Sequence, residues 1–152
     1  MPGEKREKII PALVLLVLFL DQFSKFLSNS KLSLHQSVPV IKGIFYLSLV
    51  HNRGAAFGMF KNQTFVFIAT ALFAIVLIYF SLKKNKRISL YSLSLGLILA
   101  GAVGNLIDRL RFGYVIDFLD FRVWPVFNIA DSAITVGAIL LGWTMLFRKD
   151  AS

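Results

Sequence analysis

The residues with the greatest capacity for chemistry are carboxylates and asparagines gathered in three clusters between positions 101 and 132. They read Gly101-Ala102-Val103-Gly104-Asn105-Leu106-Ile107-Asp108-Arg109, then Val115-Ile116-Asp117-Phe118, then Phe127-Asn128-Ile129-Ala130-Asp131-Ser132. Each cluster borders a long apolar run. Ionised groups are costly next to hydrocarbon, so carboxylates found there usually face the protein interior and serve a function. Two carboxylates brought within a few Å cannot both ionise easily, and one keeps its proton. Such a pair holds a base and an acid at once, and can activate water against a peptide carbonyl without a metal.

Five aspartates fall on one side of the apolar segments: Asp21, Asp108, Asp117, Asp120 and Asp131. Asp108 is followed by Arg109 and Arg111 and reads as a salt-bridged structural acid. Asp117 has Val115, Ile116 and Phe118 around it, a setting that raises a carboxyl pKa. Asp131 opens an apolar run in similar company, so Asp117 and Asp131 make the better pair on environment. A plainer reading of the last cluster stands beside this one, with Asn128 as a helix N-cap and Asp131 favourable in the first turn. Asp21 and Lys25, four residues apart, share a helix face and can simply pair there. The stretch 52–58 equally reads as a turn entering a short helix. His35 and His51 have no metal-ligand spacing, and the absence of cysteine removes thiolate sites and disulfides. No metal or other cofactor is expected.

These groups need elements that cross a bilayer. The 152 residues are 57% hydrophobic and only 16% charged, with a mean hydropathy of +0.71. That balance leaves too little polar surface for a soluble domain of this length. The net charge of +9 lies in short runs between apolar segments rather than in one stripe, which argues against a nucleic-acid partner. A span takes about 20 apolar residues, and four segments qualify, near 9–27, 64–82, 88–107 and 128–147. The first has the basic start of a cleaved signal peptide, but Asp21-Gln22-Phe23-Ser24-Lys25 follows in place of a small-x-small cleavage pattern, so a retained helix is expected. Residues 1–8, 83–87 and 148–152 hold nine Lys/Arg in 18 residues, against eight in 61 on the opposite side. Density therefore puts both termini in the cytoplasm and the carboxylates outside. Gly96, Ala100 and Gly104 recur at intervals of four and suit close helix packing. Residues 32–52 alternate in short apolar pieces broken by Pro39 and Gly43, as strands on the membrane surface would. The expected architecture is one all-α membrane domain over 1–152. It has four transmembrane helices, and a small strand-rich extracytoplasmic subdomain between helices 1 and 2.

Taken together, Asp21-Gln22-x-x-Lys25, Asn52-x-Gly54-Ala55-Ala56-Phe57, Gly101-Ala102-x-Gly104-Asn105-Leu106-x-Asp108-Arg109, Val115-x-Asp117-Phe118 and Phe127-Asn128-x-Ala130-Asp131-Ser132 resemble the lipoprotein signal peptidases, signal peptidase II. The five motifs come in the family's order and extend from the first span to the last. One departure is that Ala100 stands where the family usually has the first glycine of a Gly-Gly pair, a change expected to affect packing slightly. The resemblance implies a multi-pass aspartyl endopeptidase of the bacterial inner membrane, with its site on the outer side. Its partners would be membrane lipids and prolipoproteins whose cysteine already carries diacylglycerol, cut just before that cysteine. By motif, Asp117 and Asp131 would be catalytic. Asn105, Arg109, Asn128, Asn52, Gly54, Asp21 and Lys25 would bind substrate or support the dyad. A monomer is expected. The rival reading is a small proton-coupled transporter or channel subunit with buried acids as a relay, but such proteins hold their acids near the midplane and often show repeats.

Overall fold

The computed structural model describes residues 2–54, 63–85 and 88–147, with side chains from residue 8 onward. Along the chain lie α1 (Pro2–Lys31), β1 (Ser37–Ile41), β2 (Phe45–Asn52), α2 (Thr64–Lys84), α3 (Leu90–Phe112), β3 (Val115–Asp120) and α4 (Ile129–Leu146). All four helices are long and apolar enough to cross a membrane. The shortest, α4, has 18 residues and so extends about 27 Å.

The helix at the centre is α3. Half of its span is buried in the protein, against 17% for α1 and α4 and 11% for α2. Its start is fixed by a capping box in which the Ser89 hydroxyl accepts from the Ser92 amide while the Ser92 hydroxyl accepts from the Ser89 amide. Its end is Gly113, whose φ of 75° is the left-handed conformation that closes helices. That stop lies beyond the expected boundary at 107, so Asp108, Arg109 and Arg111 belong to the last turns of the helix rather than to a loop. At the other end α1 also runs past its expected limits, through Lys31.

Small residues let the helices touch. Gly96 faces Ile10 and Leu13 of α1, Gly101 lies against the Ala130 carbonyl of α4, and Gly137 faces Ser94 and Ile98. Ala100 is fully buried. A β-carbon on Gly101 would collide with the Ala130 carbonyl oxygen and with Ile134, whereas one on Gly96 would meet flexible side-chain tips at 3.4 and 3.5 Å. Gly101→Ala is therefore expected to destabilise by about 1–3 kcal/mol, as overpacking does, with Gly96→Ala nearly neutral. Thermal unfolding of the two variants in detergent checks the difference.

The expected strands between the first two helices form, and the sheet takes its third strand from the α3–α4 connection. The order is β1-β2-β3 and both pairings are antiparallel. In the register, Val50 lies opposite Asp117 and Asn52 opposite Val115. Asp117 is thus carried by a strand rather than by the end of a span. The buried apolar cluster of Ile10, Ile78, Leu82 and Leu95 lies toward the opposite end of the bundle. At the sheet end, beside buried Leu49, Val115, Ile116 and Phe118, lies a group of buried polar side chains: Asp21, Lys25, Asn105, Asp108, Asp117 and Asn128.

Candidate active site

Asp117 sits in the middle of β3 and is only 1% exposed. Its two carboxyl oxygens each accept an amide hydrogen. Asn128 Nδ2 donates to Oδ1 at 2.6 Å, and Asn52 Nδ2 donates to Oδ2 at 2.9 Å. The Asn52 amide is oriented in turn, because its oxygen accepts from the Gly54 backbone at 2.9 Å. Burial, followed by the charge of Asp131, pushes the Asp117 pKa up to about 7 against the pull of the two asparagine donors.

Asn128 joins the two aspartates. Its side-chain oxygen caps α4 by accepting from the Asp131 amide at 2.8 Å, while its nitrogen holds Asp117. The expected helix cap forms, and the same side chain reaches Asp117, because one amide has an acceptor for the helix and donors for the carboxylate. Asp131, in the first turn of α4, accepts from Asn105 Nδ2 at 2.7 Å. The Asn105 oxygen accepts from Lys25 at 3.0 Å and from Asn128 at 3.2 Å. With that oxygen facing two donors, only its nitrogen can face Asp131.

Beneath this layer lies a buried cation. The Lys25 ammonium has three hydrogens and three acceptors: Asp21 Oδ2 at 2.9 Å, Asp108 Oδ2 at 2.9 Å and Asn105 Oδ1. The second oxygen of Asp21 accepts from the Ala130 amide at 2.8 Å, in the first turn of α4. Asp108 Oδ2 also accepts from the Ile116 amide of β3 at 3.1 Å. One lysine and two aspartates thereby tie α1 and α3 to the first turn of α4 and to the strand bearing Asp117.

Several expectations change here. Asp108 is a buried, ion-paired acid as expected, but its partner is Lys25 rather than Arg109 or Arg111. Consecutive helix residues do not face each other, and the Arg109 guanidinium lies 4.9 Å from the Phe67 ring centre while Arg111 lies over Phe112. Among the described residues Arg109 forms no ion pair with either Asp117 or Asp131. Gln22, inside a quoted motif but given no role, bonds Asp21 and Asp108 at 3.1 Å each and the Gly104 carbonyl at 3.2 Å. A carboxamide within an apolar run was the available signal. Asp120 lies apart from the pair and accepts from Ser48 at 2.6 Å. His51 stacks on Tyr114 with ring centres 4.0 Å apart, a packing role. Residues 55–58, the greater part of the stretch read as a turn entering a short helix, lie outside the described residues.

The family model described as signal peptidase (SPase) II matches residues 13–147. A lipoprotein signal peptidase of Caldanaerobacter subterraneus is 54% identical, over 90% of this chain and 94% of its own. One of Moorella thermoacetica is 53% identical over 88% and 90%. A solved structure described as a bacterial membrane enzyme superposes with a TM-score of 0.87 at 28% identity, covering 95% of this chain and 93% of that one. Supported by the match along nearly its whole length, the chain belongs to the signal peptidase II family of membrane aspartic peptidases.

Proposed function

We propose that Asp117 and Asp131 are the catalytic dyad of a prolipoprotein signal peptidase that cuts just before a diacylglyceryl-modified cysteine. The observation that carries this reading is the single side chain of Asn128, hydrogen-bonded to Asp117 and to the Asp131 backbone at once. The ionised member of the pair takes a proton from water, whose oxygen attacks the carbonyl carbon. The protonated member gives its proton to the carbonyl oxygen. Collapse of the tetrahedral adduct breaks the C–N bond; the amine leaves with the proton that the base had taken, and one hydroxyl proton of the adduct returns to the other carboxyl, which restores the singly protonated pair. Asn105, Asn128 and Asn52 hold the two carboxyls, Gly54 orients Asn52, and Asp21, Lys25 and Asp108 fix the elements below. Arg109, over Phe67 and near the pair, is left to meet the substrate. No feature favours a transporter, because the acids gather at one end of the bundle. One chain supplies every residue of the site, which supports a monomer.

The test is incubation of purified protein with a diacylglyceryl-modified prolipoprotein peptide, with mass analysis for a product beginning at the modified cysteine. Its pH dependence is a further check. Activity needs one proton on the pair, and the raised pKa of Asp117 means that this proton is lost as pH rises through about 7. The rate is therefore expected to fall on the alkaline side with an apparent pKa near 7. A rate still climbing at pH 9, or an intact peptide, would overturn the reading.

We also propose that both termini are cytoplasmic and that the dyad faces outward, on the density of Lys and Arg in residues 1–8, 83–87 and 148–152. In intact cells Asn85→Cys should resist a membrane-impermeant thiol reagent and Lys42→Cys should react. With no native cysteine, the reverse pattern would reverse the orientation.

A further inference from the structure

At the end of the bundle away from the dyad, the helices α2, α3 and α4 leave a groove of about 990 Å³, lined among others by Ser81, Lys84, Ser89, Tyr91, Trp143 and Phe147. Its lining combines a cation with hydroxyls and aromatic rings and includes no acid. The five described aspartates all lie at the other end, in or beside the sheet and the network below it. Lys84 is exposed and forms no ion pair among the described residues, and the adjacent Lys83 is exposed as well.

Trp143 and Phe147 pack together with ring centres 4.3 Å apart, yet both remain more than half exposed. Aromatic rings at the end of a span belong in the interfacial layer, where lipid head groups lie. Leading from the groove toward the middle of the spans are exposed apolar residues, Leu77 and Phe80 on α2 and Ile139 on α4. A soluble anion matches only the basic mouth of this surface. A molecule with an anionic head and apolar tails matches all of it. Basic pockets between transmembrane helices are a recurrent way to hold anionic lipid head groups.

We propose that this groove binds the head group of an anionic phospholipid, with its phosphate against Lys84 and its acyl chains along α2 and α4. The site is separate from peptide cleavage and does not depend on the dyad assignment.

The test uses the full chain, purified in detergent and stripped of lipid, with equal amounts of phosphatidylglycerol and phosphatidylcholine added before native mass spectrometry. The protein should retain phosphatidylglycerol in preference to phosphatidylcholine, and phosphatidylglycerol should raise its unfolding temperature. Lys84→Gln removes the charge at an exposed position while keeping a polar side chain, and should lower phosphatidylglycerol retention about fivefold. Lys42→Gln, in the loop between β1 and β2, should leave it unchanged. Equal retention of the two lipids, or of phosphatidylglycerol by the Lys84→Gln and parent proteins, overturns the proposal. So does displacement by inorganic phosphate, which would mark a soluble-anion site, or a particle of twice the mass, which would put a second copy in the groove.

Discussion

Asp117→Asn and Asp131→Asn are each expected to lower cleavage of the lipid-modified peptide by about 10²–10⁴-fold or more, the usual cost of removing an essential acid–base group. Both proteins should still fold. At position 117 an amide offers one acceptor where the carboxylate offers two, so either Asn52 or Asn128 loses a bond, at a cost of about 1 kcal/mol. Removing a carboxylate that burial already disfavours offsets part of that cost above pH 7, where the parent side chain is ionised. At position 131 the amide oxygen still accepts from Asn105, and the Asn128 cap uses only the backbone. The two variants should therefore unfold close to the parent temperature in detergent while showing almost no product. Substantial turnover by either one would remove that residue from the chemistry.

What could be read from the sequence was what local signals carry. Asn128 and Asp131 are three residues apart at the mouth of an apolar run, so cap and first turn were legible together. The Asp21–Lys25 pair follows from helical spacing alone. Asp117 was legible as an acid in apolar company, but β3 was not. Its six residues follow directly on an apolar helix, and they become a strand only by pairing with β2, more than 60 residues earlier in the chain. Non-local pairing leaves no local mark.

The same limit explains the partner of Asp108. The flanking arginines are neighbours in sequence, whereas Lys25 is 83 positions away and reaches Asp108 only because α1 packs on α3. The close packing has its own local signature. Gly104 leaves no room for a β-carbon, which would lie 2.6 Å from Asp21 Oδ2. The spacing of small residues predicts helix contact, and the contact brings Asp108 of α3 against Lys25 of α1. Helix α3 continues past the boundary expected at 107 because Asp108, a charged residue that reads as loop, remains in the helix once its charge is compensated inside the protein.

Lys25→Met should be more damaging to the fold than any single change in the dyad. The ammonium is the only described buried cation in contact with Asp21 and Asp108, which are 0% and 1% exposed. Deleting it leaves two carboxylates facing each other without compensation, and breaking a buried ion pair in this way costs about 3–5 kcal/mol. Asp108→Asn should be milder, because Lys25 keeps Asp21 and an amide oxygen can still accept from Ile116. Unfolding temperatures in detergent should therefore fall in the order parent, Asp108→Asn, Lys25→Met. Adding Asp108→Asn to the Lys25→Met protein should recover part of the loss, since one of the unpaired charges goes with it. Catalysis should follow the same logic. Without the ammonium, the Asn105 oxygen loses a donor and the amide is free to turn, so folded Lys25→Met protein should cleave poorly, whereas Asp108→Asn retains measurable cleavage. If Lys25→Met unfolds at the parent temperature, the network is not what holds α1 to the site. If well-folded Asp108→Asn yields no product, Asp108 belongs with the reacting groups rather than beneath them.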